Sequence, residues 1–93
     1  MNKPTRKNKR KSSKIQSNMP SRYEFYTIFF VNYALGYIVP RYNVVINGVR
    51  FNQGTTINRN SLAGGLNLFD YIGRGIAGRW DPLSRTLTID GFY

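Results

Sequence analysis

The first fourteen residues, MNKPTRKNKRKSSK, hold seven cations and no anion, and this run limits how much of the chain can build a core. Lys3, Arg6, Lys7, Lys9, Arg10, Lys11 and Lys14 repel one another, and no aromatic side chain lies among them. Such a segment cannot bury enough apolar surface to offset the entropy of ordering it, so disorder in isolation is expected. Ser12, Ser13, Ser17, Asn18 and the Pro20-Ser21 pair continue the polar, breaker-rich composition and put a boundary near Arg22. The reading is a basic arm over 1–22 followed by a compact, β-rich domain over 23–93. With 93 residues in all, surface-to-volume scaling allows one core and excludes a second.

The cations fall into two kinds. Every Lys lies within residues 1–14, whereas each cation after them is an Arg, and those seven Arg face four acids in a chain of net charge +10. Lys is a compact charge on a flexible stem and suits diffuse contacts; the planar guanidinium suits fixed, bidentate or stacked ones. A polyanionic partner is expected, with phosphates neutralised without sequence readout.

From Tyr23 the chain turns abruptly apolar and aromatic, through YEFYTIFFVNYALGYIVP. Its β-branched and aromatic content, punctuated by Gly36 and Pro40, predicts one long strand or two shorter ones at Tyr23 to Val31 and Leu35 to Val39, with a helix as the alternative. As a helix, Phe25 to Val39 would reach only about 22 Å against roughly 30 Å of hydrocarbon, so a membrane span is not expected. In YNVVINGVRF the Asn47-Gly48 pair supplies the two positive-φ residues of a type I′ hairpin turn. Pairing Ile46 with Val49 and Val44 with Phe51 puts four apolar side chains on one face, and Asn43, Val45, Arg50 and Asn52 on the other.

Beyond it, a brief strand is expected at Thr55 to Ile57, and a short helix near 65–72 capped by Asn60 or Ser61, weakened by Gly64 and Gly65. Asp81-Pro82-Leu83-Ser84 reads as a type I turn joining Ile76–Trp80 to Arg85–Ile89, with Thr86 and Thr88 on a wet face. The fold class expected is α+β or mainly β, a single domain of antiparallel hairpins with at most one short helix.

Neither Cys nor His occurs, which removes thiolate and imidazole metal sites, Cys nucleophiles and Ser-His-Asp chemistry. A carboxylate pair would need two of Glu24, Asp70, Asp81 and Asp90 about 5 to 10 Å apart, and nothing in their spacing suggests it. No catalysis, no cofactor and no small-molecule substrate are expected. Residues 73–78, GRGIAG, match G-x-G-x-x-G, yet Pro82 follows at once and no βαβ unit fits. The glycines are better explained by a helix exit, a bulge or a close backbone crossing. The same stretch reads alternatively as a G-x-x-G loop whose flanking Arg74 and Arg79 touch a nucleic-acid backbone, or pair with Asp70 and Asp81 on the surface. Most of the aromatics are expected in the core or in subunit contacts, with Tyr33, Tyr37, Tyr42 and Trp80 as exceptions to test.

Together these features predict a structural protein of a nucleic-acid-containing particle, a virion or a ribonucleoprotein. The arm and Arg74 and Arg79 would contact DNA or RNA phosphates, and the domain would meet other protein subunits. Two other readings compete: a small inhibitor or adaptor that binds one protein, and peripheral membrane attachment through the arm and the aromatic segment.

Overall fold

In the computed structural model, residues 20–93 are described, and they form two β-sheets around one core. Strands β1 (Ser21–Glu24), β4 (Asn43–Ile46), β5 (Val49–Phe51), β7 (Gly75–Asp81) and β8 (Thr86–Phe92) make a five-stranded sheet in the order β1-β7-β8-β4-β5. Strands β2 (Phe29–Asn32), β3 (Tyr37–Pro40) and β6 (Ile57–Asn58) make a three-stranded sheet in the order β2-β3-β6. The domain is thus mainly β, with antiparallel pairing everywhere except between β4 and β8.

Both expected hairpins are present. Asn47 and Gly48 take φ of 50° and 82°, and Ile46 faces Val49 while Val44 faces Phe51. Val44 and Ile46 are buried, but β5 is an edge strand and leaves Val49 exposed. The second hairpin is longer than its turn chemistry indicates, running from Gly75 to Phe92. The two hairpins join side by side through the parallel pair, Val44 beside Leu87 and Ile46 beside Ile89, and that seam fills the centre of the core.

At the 81–84 turn the Asp81 carboxylate accepts hydrogen bonds from the Leu83 backbone N–H (3.0 Å) and the Ser84 hydroxyl (2.9 Å). The Ser84 bond, then the Leu83 bond, favour the ionised form and lower the Asp81 pKa below its ordinary value. A depressed folded pKa means the contribution is complete above about pH 4 and is lost as pH falls through the folded value. Acidification is expected to shift the Leu83 amide resonance as Asp81 protonates. In Asp81→Asn, which keeps an acceptor but does not titrate, that shift should vanish; an identical response in both proteins would refute the assignment.

Four expectations are corrected. The stretch from Tyr23 to Val31 is not one strand: a single helical turn at Phe25–Ile28 carries the chain from the five-stranded sheet into the other one. That turn buries Phe25 and Ile28, and Phe29 follows them into the core. Leu35 lies in a turn, 75% exposed, where its N–H donates to Asn32 Oδ1, and the second strand starts only at Tyr37. The helix near 65–72 is reduced to a 3-10 turn, Leu68–Tyr71, whose cap is Asn67, with Oδ1 accepting from the Phe69 N–H at 3.1 Å. Gly64 and Gly65 both take positive φ, and a Cβ at Gly64 would overlap the Ile46 carbonyl, so this segment crosses the sheet as a tight loop instead of a helix.

The fourth correction concerns Thr86, which is buried, with the Arg50 guanidinium reaching over it from β5. Its hydroxyl donates to the Ser84 carbonyl (3.0 Å) and accepts from Arg50 (3.4 Å), so no polar group is stranded. Among the described residues no helix is long and apolar enough to cross a membrane.

Candidate nucleic-acid interface

Of the expected contact residues, Lys3, Arg6, Lys7, Lys9, Arg10, Lys11 and Lys14 lie outside the described residues. Arg74 and Arg79 are both exposed but are not the two ends of one loop. Residues 75–81 form β7, an interior strand between β1 and β8, so the G-x-x-G loop is replaced by extended backbone. The glycines there have structural causes. The register shifts between Ala77 and Gly78, and a Cβ on Gly78 would come within 2.8 Å of the Thr88 carbonyl oxygen. The Tyr93 ring lies over Gly75, where a Cβ would overlap it.

Arg79 is bound across the hairpin to Asp90 through two hydrogen bonds of 3.1 and 2.6 Å, in place of the expected pairing with Asp81. The Asp90 hydrogen bond and charge raise the Arg79 pKa, which keeps an already permanent cation charged. Arg74 also departs from its expected partner: its guanidinium lies 5.7 Å from the Tyr71 ring, and Nε donates to the Tyr93 carbonyl.

Arg22, Arg59 and Arg41 follow the second pattern, and Arg50 is held by side-chain oxygens. Arg22 sits 4.6 Å over the Tyr93 ring and Arg59 4.7 Å over Phe69. Arg41 lies 5.9 Å from Phe30 and donates to the Tyr26 carbonyl, and Arg50 donates to Asn52 and Thr86. Guanidiniums held by ring faces and carbonyls keep their charge and present it at a set position. Arg22, Arg41 and Arg59 were not among the expected contacts, because their rings lie far away in sequence and no local pattern marks them.

Arg41 belongs to a second feature, an exposed aromatic ridge built from the Phe25–Ile28 turn, β2 and the turn after it. Tyr26, Phe30 and Tyr33 are all exposed, with Phe30 6.4 Å from Tyr37. The Tyr26 and Tyr33 hydroxyls hydrogen-bond each other, which raises the Tyr33 pKa. This ridge flanks β2, an edge strand whose outer backbone groups have no strand partner among the described residues. Core packing accounts for Phe25 and Phe29, and in part for Tyr23, Phe51, Phe69, Tyr71, Trp80 and Phe92, but not for the ridge.

A third feature is an open groove of about 270 Å³ lined by Tyr23, Thr27, Ile28, Tyr42, Trp80 and Leu87. Tyr42 and Trp80 meet there edge-to-face at 5.5 Å. No family model, curated protein or solved structure matches this chain.

Proposed function

We propose that this protein is a non-enzymatic assembly component of a nucleic-acid-containing particle, its arm contacting DNA or RNA phosphates and its domain contacting other subunits. The observation that carries the reading is the separation of charge: mobile-stemmed Lys confined to the arm, and a body whose cations are Arg. The seating of Arg22, Arg41, Arg59 and Arg74 on rings and carbonyls supports the second half, since positioned guanidiniums suit fixed interfaces. The exposed ridge beside the open β2 edge supports subunit contact, because edge strands and contiguous exposed aromatics favour association.

Purification from the native source in mild salt tests the reading. The protein should travel with a particle that contains nucleic acid, and a free monomer without bound nucleic acid would overturn it. The adaptor reading draws on the open edge of β5, which could add a partner's strand. It differs in one measurable respect: binding of its protein partner would survive loss of the arm cations, whereas nucleic-acid retention would not.

A further inference from the structure

We infer that the groove lined by Tyr23, Tyr42 and Trp80 is a stacking site for one unpaired base of a single-stranded nucleic acid, an inference that rests on the polyanion-binding reading above. Its floor is formed by the side chains of Ile28 and Leu87, both fully packed in the core, so the shape is held by the fold. Tyr42 meets Trp80 at an interplanar angle of 77°, an edge-to-face corner whose open ring surface can take a third ring. A volume of about 270 Å³ suits one heteroaromatic ring with part of its sugar. The hydroxyls of Tyr23, Thr27 and Tyr42 and the Trp80 indole N–H are the lining side chains' polar groups, donors and acceptors suited to a base edge.

Charge selects this occupant over an apolar or proline-rich peptide. Ser21 pairs with Gly78, so β1 runs back along β7 toward Trp80 as the chain is followed toward the arm. Pro20 lies about 10 Å of extended chain from Tyr23, which attaches the seven-cation arm at the groove's own rim. The described chain thus ends beside the groove, and the sequence that precedes it is strongly cationic, which favours an anionic occupant. Of the carboxylates adjacent in sequence to lining residues, Glu24 alternates to the other face of β1 from Tyr23, and Asp81 to the other face of β7 from Trp80. A proline-rich segment would find the same rings but gain nothing from the cations. Ring stacking accepts any base, in keeping with the absence of a built hydrogen-bonding code.

Trp80 is the only tryptophan, so its emission reports on the groove alone. The full-length protein would be titrated with a labelled oligothymidylate of about twelve nucleotides, an abasic strand of equal charge, a duplex and a proline-rich peptide. Label anisotropy reports binding, and Trp80 emission reports occupancy. The base-bearing single strand should quench Trp80, and the abasic strand should bind about 5- to 100-fold more weakly without quenching. Tyr42→Ala, at an exposed position, should lower affinity toward the abasic value while circular dichroism stays unchanged. Equal affinities with a silent Trp80, or equal quenching by the duplex, would overturn the base site and leave phosphate binding standing. A Trp80 response to the peptide alone would overturn it in favour of a protein partner. Absence of any anisotropy change at low salt would remove both the site and the reading beneath it.

Discussion

Replacing Lys3, Arg6, Lys7, Lys9, Arg10, Lys11 and Lys14 by Gln is expected to lower affinity for DNA and RNA by about 10³-fold or more at low salt, the largest functional effect in this protein. Each cation that neutralises a phosphate releases condensed counterions, so most of seven contacts give a log-log salt slope of about −5 to −6. With the arm neutral, the slope should fall to about −2 or shallower, since the body keeps seven Arg against four acids and one of them, Arg79, is paired with Asp90. Glutamine preserves length and polarity, and the first strand among the described residues begins at Ser21, beyond the substituted positions, so the melting temperature should not move. Filter retention or anisotropy across a salt series provides the measurement. Unchanged affinity and an unchanged slope would show that the body, not the arm, holds the polyanion.

The second large effect is on stability. Phe29→Ala should cost about 3 to 5 kcal/mol, because it removes a fully buried ring at the joint between the two sheets. Its ring lies 4.9 Å from that of Phe25, and both belong to the single core cluster. Domains typically hold about 5 to 15 kcal/mol in reserve, so a domain this small should melt tens of degrees lower or fail to fold at 37 °C. The neighbouring Phe30→Ala is the control. Phe30 is 43% exposed against 0% for Phe29, so its loss should change stability by less than about 1 kcal/mol. It should instead weaken subunit association if the ridge is an interface. Equal destabilisation by the two substitutions in thermal melts would contradict the placement of the core.

Those adjacent phenylalanines show where residue-level reasoning stops. Asn47-Gly48 and Asp81-Pro82 declare their hairpins because a turn's φ requirements and its side-chain hydrogen bonds are local, and the register of Val44, Ile46, Val49 and Phe51 follows by alternation. Nothing local marks Phe25–Ile28 as a helical turn, since the same aromatic and β-branched residues favour a strand. The chain coils there because Phe25, Ile28 and Phe29 must all reach one core while the backbone changes sheets. Thr86 appears polar-out by alternation, yet Arg50, 36 residues away in the chain, reaches over it and it is buried.

The candidate sites divide along the same line. The arm and its seven cations are visible from composition alone, because charge repulsion and the absence of aromatics act over neighbouring residues. The hairpins likewise come from turn chemistry and short-range pattern, which narrowed the class to α+β or mainly β. Tertiary structure decided the rest: the parallel seam of β4 with β8, the pairing of Arg79 with Asp90, the seating of Arg22 on Tyr93, and the meeting of Tyr23, Tyr42 and Trp80 around one groove. Each of these joins residues distant in the chain, and the free energy that selects such contacts comes from burying a shared core, a property of the whole domain that no local window of residues contains.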